Sequence, residues 1–453
     1  MTAVPDLTPS QDARVDIRDL RVSFVTAHGD VDAVNGVSLY LDPGEILAIV
    51  GESGSGKTVT ARTILGLLPE TATASGVVLV EGSNVVTMSQ AQLRGIRGKE
   101  AAMVFQEPSS ALNPVFPVWW QIGEGLRAHN PKLSKKELKA KAVEALRLVG
   151  IPEPEKRINR FPHEFSGGQK QRIIIAMALS MGAKIIVADE PTTALDVTVQ
   201  AEILQLLRDI RDRYNTSIIL ITHNMGVVAD LADSVLVMYQ GRTVERKFSR
   251  DLFANPQADY TKKLLAAVPR IGVTSPSRDL TEADWAKLDA AQPVVVARGL
   301  EITYPGRLGS PPFRAVQGVD FTIRAGEVFG LVGESGSGKT TIGRAMARLE
   351  AVTRGSLTIF DHEMLVYKER TFKPLRKKIG FVFQDPATSF DPQLTIGECI
   401  AEPLEVHAPE LSASDRRARV SSMLEAVELP ATYARRYPHE LSGGQRQRVS
   451  FAR

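Results

Sequence analysis

The chain has 453 residues, 43% of them hydrophobic and 24% charged, with a net charge of +3 from 55 basic and 52 acidic side chains. That length suits two or three soluble globular domains, and so weak a basic excess gives no reason to expect nucleic acid as the main partner. A single cysteine, Cys399, excludes an internal disulfide framework and any cysteine-built metal site.

In chain order, Met1 to Val15 is polar and mildly acidic, without the basic start and apolar stretch of a signal peptide. Glu45–Val50 (EILAIV) reads as a buried strand that enters a glycine-rich turn, and Thr58–Leu68 reads as the following helix. The turn is GESGSGKT at Gly51–Thr58, comprising Gly51, Glu52, Ser53, Gly54, Ser55, Gly56, Lys57 and Thr58. Glycines let the backbone wrap closely around phosphates, with successive amides pointing inward and a helix N-terminus behind them. Lys57 supplies charge for the terminal phosphates, and the Thr58 hydroxyl suits Mg²⁺.

VFQEP follows at Val104–Pro108, then the pair Trp119–Trp120 and a lysine-rich amphipathic segment, Leu133–Leu148. The segment reads as a solvated helix face. The tryptophans suit either burial or docking of a partner. The longest apolar run, Ile173 to Ala183, is far short of the roughly 20 residues a membrane-spanning helix needs. Lys184–Ala188 is a short buried strand ending in Asp189 and Glu190. A carboxylate there can hold Mg²⁺, and its neighbour can polarise an attacking water. The segment continues as DEPTTALD, and Thr222–His223 closes a further strand, Ser217–Ile221. Strands alternating with helices predict an α/β domain with a largely parallel sheet and its ligands at the carboxyl ends of the strands.

The chain then repeats itself. GESGSGKT returns as Gly333, Glu334, Ser335, Gly336, Ser337, Gly338, Lys339 and Thr340. VFQDP returns at Val382–Pro386, and PHEFSGGQKQR at Pro162–Arg172 returns as PHELSGGQRQR at Pro438–Arg448. The order is conserved across the copies, so a whole domain is duplicated. The expected layout is an extension over 1–14, a first domain over 15–270, a linker over 271–293 with one short helical turn, and a second domain over 294–453.

The combination resembles the ATP-binding-cassette ATPases. FSGGQ (Ser166, Gly167, Gly168, Gln169) and LSGGQ (Ser442, Gly443, Gly444, Gln445) look like the family's signature. Gln106 and Gln384 match its Q-loop, Asp196 its D-loop and His223 its switch histidine. Phe24 and Tyr304 stand where the family stacks a ring on adenine. A narrower resemblance, to the dipeptide/oligopeptide importers, rests on PSSALNP, THNMGVVADLADSVLVMYQGR and the tail NPQADYTKKLLAAVP at Asn255–Pro269. Asn224 departs from it, since an acidic residue usually follows the histidine. The cysteine cluster that often follows the tail is also absent, so no iron–sulfur site is inferred.

The resemblance implies two P-loop cassettes, each with a mostly parallel sheet and a helical subdomain, closing head to tail around ATP and Mg²⁺. Each site takes its signature from the opposite cassette. The first would use Lys57, Thr58, Gln106, Asp189, Glu190 and His223, with Ser442 to Gln445 opposite and Glu190 as general base. The second would use Lys339, Thr340 and Gln384 with Ser166 to Gln169. No second acid-ending strand, D-loop or switch histidine occurs before Arg453. The second site therefore lacks a base, and the expectation is that these residues belong to a longer chain whose missing strands would complete the second core. The implied role is the ATPase of an importer, for peptides by subfamily resemblance. It would sit at the cytoplasmic face of a bacterial-type membrane with two integral permease subunits and an extracytoplasmic binding protein. The competing function is a tandem ATPase acting on ribosomes or in DNA repair. Against it stand the short, nearly neutral linker, the absence of zinc modules and coiled coils, and the importer-like tail.

Overall fold

A computed structural model describes residues 12–26, 29–105, 107–193, 195–268, 281–306, 311–334, 336–366, 369–383 and 389–453. Gln106, Ser335 and Gln384 lie outside these residues. The chain divides into two compact units, Met1–Ser277 and Arg278–Arg453.

In the first unit, β1 (Val15–Thr26) and β2 (Gly29–Leu41) pair antiparallel and lead into β3 (Ile46–Val50). Helix α1 (Lys57–Ile64) is shorter than its sequence predicts. Gly66 takes φ +60° and the amide of Leu67 turns back to the Arg62 carbonyl at 2.9 Å, a left-handed C-terminal stop. Next come β4 (Ala72–Val80), β5 (Ser83–Asn84), α2 (Gln90–Ile96) and β6 (Ala101–Val104). A helical region follows: α3 (Pro108–Ala111), α4 (Val118–His129), α5 (Lys135–Leu148), α6 (Pro154–Arg157) and α7 (Gly167–Leu179). The chain returns through β7 (Ile185–Asp189), α8 (Val197–Tyr214), β8 (Ser217–Ile221), α9 (Met225–Leu231), β9 (Ser234–Tyr239) and β10 (Arg242–Phe248). It closes on α10 (Ser249–Ala254) and α11 (Asp259–Ala266).

Two sheets result, one antiparallel in the order β2-β1-β4-β5 and one six-stranded in the order β10-β9-β3-β8-β7-β6. All pairings in the six-stranded sheet are parallel except β9 with β10. Strands β3, β7 and β8 are buried along their whole length, as expected when both faces of a parallel sheet are covered. Leu47 and Ile49 pack towards the antiparallel sheet and α1, Ile46 towards the helical region, and Ala48 and Val50 towards α9, α10 and α11.

The second unit begins with α12 (Glu282–Ala290), a nine-residue helix with a capping box at Thr281, longer than the single turn expected there. It continues with β11 (Pro293–Tyr304), β12 (Phe313–Arg324), α13 (Lys339–Met346), β13 (Arg354–Ile359), β14 (His362–Glu363), α14 (Glu369–Arg376), α15 (Ile396–His407), α16 (Ala413–Ala426) and α17 (Gly443–Ala452). Its sheet, β12-β11-β13-β14, is wholly antiparallel. The mostly parallel sheet expected in this copy is not present among the described residues. Residues 327–332, the repeat of β3, form no strand, and Val328 and Val332 are 87% and 90% exposed. The physical reason is the lack of neighbours. The β3 backbone is paired on both sides, by β8 and β9, whereas 327–332 has no strand beside it among the described residues. The apolar side chains of the second unit gather instead into two separate cores, one under the antiparallel sheet and one among α15, α16 and α17.

Candidate active site

The first phosphate loop joins β3 to α1, at the carboxyl edge of the parallel sheet. Gly56 precedes α1 with φ +92°, and a Cβ there would lie 2.5 Å from the Ala33 carbonyl oxygen, so glycine is required by both backbone angle and space. Lys57 Nζ donates to the carbonyls of Gly51 (2.8 Å) and Glu52 (2.7 Å), which folds the lysine over the loop. Burial pushes its ammonium below the ordinary lysine range, opposed by the nearby charges of Glu190, Asp189 and Glu52.

The loop faces the end of β7. The Thr58 hydroxyl donates to Asp189 Oδ1 at 3.1 Å, across 131 residues of sequence. Asp189 is 5% exposed, and burial pushes its carboxyl above the usual range; the Thr58 hydrogen bond and the charges of Arg62 and Lys57 pull the other way. A buried carboxylate in that condition favours a cation beside it. Among the described residues no group of three or more His, Cys, Asp or Glu side chains could hold a metal. Thr58 and Asp189 thus offer only part of a hard-oxygen shell. That fits Mg²⁺, which retains waters and takes further oxygens from phosphates.

Glu190 sits one residue past the strand with φ +47°, strained for a residue with a side chain. Its amide is held by the Ile221 carbonyl at 2.9 Å, so β8 fixes the turn. The two carboxylate oxygens have separate partners. Oε1 lies 3.1 Å from His223 Nδ1, and Oε2 accepts from the Thr193 hydroxyl at 2.9 Å. Thr193 was not singled out in the sequence; the signal was a hydroxyl three residues after the acid, within hydrogen-bonding reach once the chain turns.

The other predicted residues take defined places. Asp196 is the N-cap of α8, its Oδ1 accepting from the Val199 amide at 2.9 Å. Ser166 and Gln169 bond each other reciprocally at the start of α7, and Ser442 and Gln445 do the same at the start of α17. Asn224 Oδ1 caps α9 through the amides of Gly226 and Val227, so the amide does the capping an acidic residue would do there. Phe24 is half-buried near the end of β1 and packs on the core. Tyr304 ends β11 with its hydroxyl 3.5 Å from that of Thr341. In the second loop, Lys339 Nζ donates to the carbonyls of Gly333 (2.7 Å) and Glu334 (2.6 Å), repeating the first. Thr340 stands at the start of α13 beside it.

Both tryptophans are half-buried. Trp119 packs on the helical core with the ammonium groups of Lys135 and Lys139 over its ring at 5.3 and 5.1 Å. Lys135, Lys136 and Lys141 are exposed, so the lysine-rich face stays in solvent while two of its lysines also lie over the ring. Trp120 stacks on Phe116, with ring centroids 4.1 Å apart.

A phosphate loop, a buried acid bonded to its threonine, and a second acid held between a threonine and a histidine lie together at the carboxyl edge of the parallel sheet. The ABC transporter family model matches residues 34–193 and again 316–453. The chain belongs to the ABC transporter family. It is an ATPase of α/β fold, with a mixed, mainly parallel sheet and helices in its first unit. Over 96% of its length it is 45% identical to the peptidoglycan transport ATP-binding protein YejF of Agrobacterium fabrum, covering 79% of that protein. It is 44% identical to the glutathione import ATP-binding protein GsiA of Salmonella choleraesuis and 42% to that of Escherichia coli, in each case over 96% of this chain and 74% of the relative. No helix among the described residues is long and apolar enough to cross a membrane.

Proposed function

We propose that this ABC ATPase energises an importer, and that peptides or peptide-like molecules are its cargo. The observation that carries the catalytic part is the Glu190 carboxylate, held at 3.1 Å from His223 Nδ1 and 2.9 Å from Thr193 Oγ1, next to an acid bonded to the phosphate-loop threonine. Glu190 accepts a proton from the water that attacks the γ-phosphorus, His223 holds the γ-phosphate and that water in line, and Thr193 keeps the carboxylate aimed. Lys57 leaves the loop carbonyls for the terminal phosphates. Thr58, Asp189 and Gln106 are the residues that would hold Mg²⁺, which supplies charge neutralisation on the phosphate oxygens. Phe24 stacks on adenine, and Asp196 fixes the start of α8 after the acid pair.

Ser166 to Gln169 and Ser442 to Gln445 are the two signature segments, and Lys339 and Thr340 belong to the second phosphate loop. In both signature segments, serine and glycine amides at a helix N-terminus suit a γ-phosphate. Closure around nucleotide and reopening after hydrolysis drive two integral membrane subunits, which an extracytoplasmic binding protein supplies with cargo. The ATPase works at the cytoplasmic face. Support for the importer reading comes from relatives named for glutathione import and peptidoglycan transport. The test is reconstitution in liposomes with integral permease subunits that co-purify with it, with binding protein and labelled di- and oligopeptides outside. ATP-dependent peptide accumulation is expected. ATP turnover without accumulation of any peptide would overturn the cargo assignment.

A further inference from the structure

The tail that follows the first cassette is not a free extension. Helix α11 is fixed at its N-terminus by Glu245, a carboxylate 4% exposed on β10, which accepts from the amides of Gln257 (2.9 Å) and Ala258 (3.0 Å). Lys247 braces the same entry. It lies 3.2 Å from Glu245 and donates to the Asn255 carbonyl at 2.8 Å. Leu265 anchors the far end in the core that also contains Val50, the last residue of β3.

This anchoring sets Tyr260 against the phosphate loop. Its ring packs on Tyr239, centroids 4.4 Å apart, and its Oη accepts a hydrogen bond from the Glu52 amide at 3.1 Å. Partial burial pushes the phenol above the ordinary tyrosine range, so at neutral pH Oη keeps its proton and accepts through a lone pair. Glu52 is also the residue whose carbonyl holds Lys57 Nζ at 2.7 Å. One amino acid of the loop therefore carries the tail on its N–H and the phosphate-binding lysine on its C=O. The second loop reaches the same lysine contacts, 2.7 Å to Gly333 and 2.6 Å to Glu334, within a unit that does not include α11. Tyr260 is thus not needed to give the loop its shape. It restrains a loop that is already formed and ties it to the tail.

We propose that Tyr260 is a positioning residue of the first nucleotide site, pre-organising the loop for nucleotide, and that α11 is thereby coupled to occupancy of that site. Restraining a binding loop in the free protein raises affinity by lowering the ordering cost of binding, and any such coupling is reciprocal. The proposal rests on the reading that the Lys57 loop binds nucleotide, and the experiment separates the two. Mg-ADP affinity is measured by calorimetry on the full chain for the wild type, Tyr260→Phe, Asp259→Ala and Lys57→Ala, with steady-state ATP turnover and hydrogen exchange of α11 alongside.

Tyr260→Phe keeps the ring on Tyr239 and removes only the acceptor. Affinity should fall roughly three- to tenfold, the equivalent of one lost hydrogen bond, with KM for ATP rising in step and kcat unchanged. Asp259→Ala, on the same helix with a side chain 94% exposed, should bind as the wild type does. ADP should slow exchange of the α11 amides in the wild type and not in Tyr260→Phe. Unchanged affinity in Tyr260→Phe, or an α11 whose exchange ignores ADP in the wild type, would overturn the proposal. Unchanged affinity in Lys57→Ala would instead overturn the site reading beneath it.

Discussion

Asp189 carries the sharpest conflict between stability and function. Its carboxyl is buried at a strand end, and burial raises its folded-state pKa above the unfolded value. The native state therefore holds the proton more tightly than the unfolded chain. That contribution favours folding at acid pH and is lost as pH rises through the folded pKa, above which the buried group is ionised. Asp189→Asn should raise the melting temperature of the nucleotide-free protein at pH 8, with the gain shrinking towards pH 4. Turnover should fall by about a hundredfold or more. Thermal scans across that range, with an ATPase assay, check it; a lower melting temperature at pH 8 would show that the charge is fully compensated. Lys57, Thr58, Asp189, Glu190 and His223 were all legible in the sequence, because each lies inside a dense local motif. Thr193 and Tyr260 were not, for different reasons. Thr193 acts through the turn that aims Glu190, and Tyr260 meets Glu52 across 208 residues, a contact that leaves no trace in spacing.

At the scale of elements, the two signature helices share a sequence and differ in surroundings. A Cβ on Gly168 would lie 2.4 Å from Val199 Cγ1 of α8, whereas one on Gly444 meets nothing within 4 Å. The motif reading gave these glycines a single role, in phosphate binding; Gly168 has a packing role as well. Gly168→Ala should cost about 1–3 kcal/mol through overpacking, followed by the fluorescence of Trp119 and Trp120 during urea unfolding. Gly444→Ala should be neutral or stabilise its unit by up to about 1 kcal/mol, because alanine outranks glycine inside a helix. Equal costs at the two positions would contradict the difference in packing. Helix boundaries were less legible than helix existence. The end of α1 is set by a left-handed Gly66, and α12 by a capping box at Thr281, details finer than hydrophobic periodicity resolves.

At the scale of the two units, the repeat of β3 forms no strand among the described residues. Val50 and Val332 occupy the same place in the repeat, yet Val50 is wholly buried and Val332 is 90% exposed. A strand pattern specifies a strand only when neighbours supply its hydrogen bonds, and β3 has them in β8 and β9. Val50→Ala should therefore cost about 2–3 kcal/mol, and Val332→Ala less than about 0.5 kcal/mol. Paired denaturation curves distinguish them. Among the described residues, the strand-end acid pair beside a phosphate loop is Asp189 with Glu190. The most direct test is therefore ATP turnover of Glu190→Gln, which keeps the shape and both hydrogen-bond partners of the side chain while removing its basicity. The predicted result is turnover reduced by at least about a hundredfold with nucleotide binding retained. Turnover within a few-fold of the wild type would contradict Glu190 as the base.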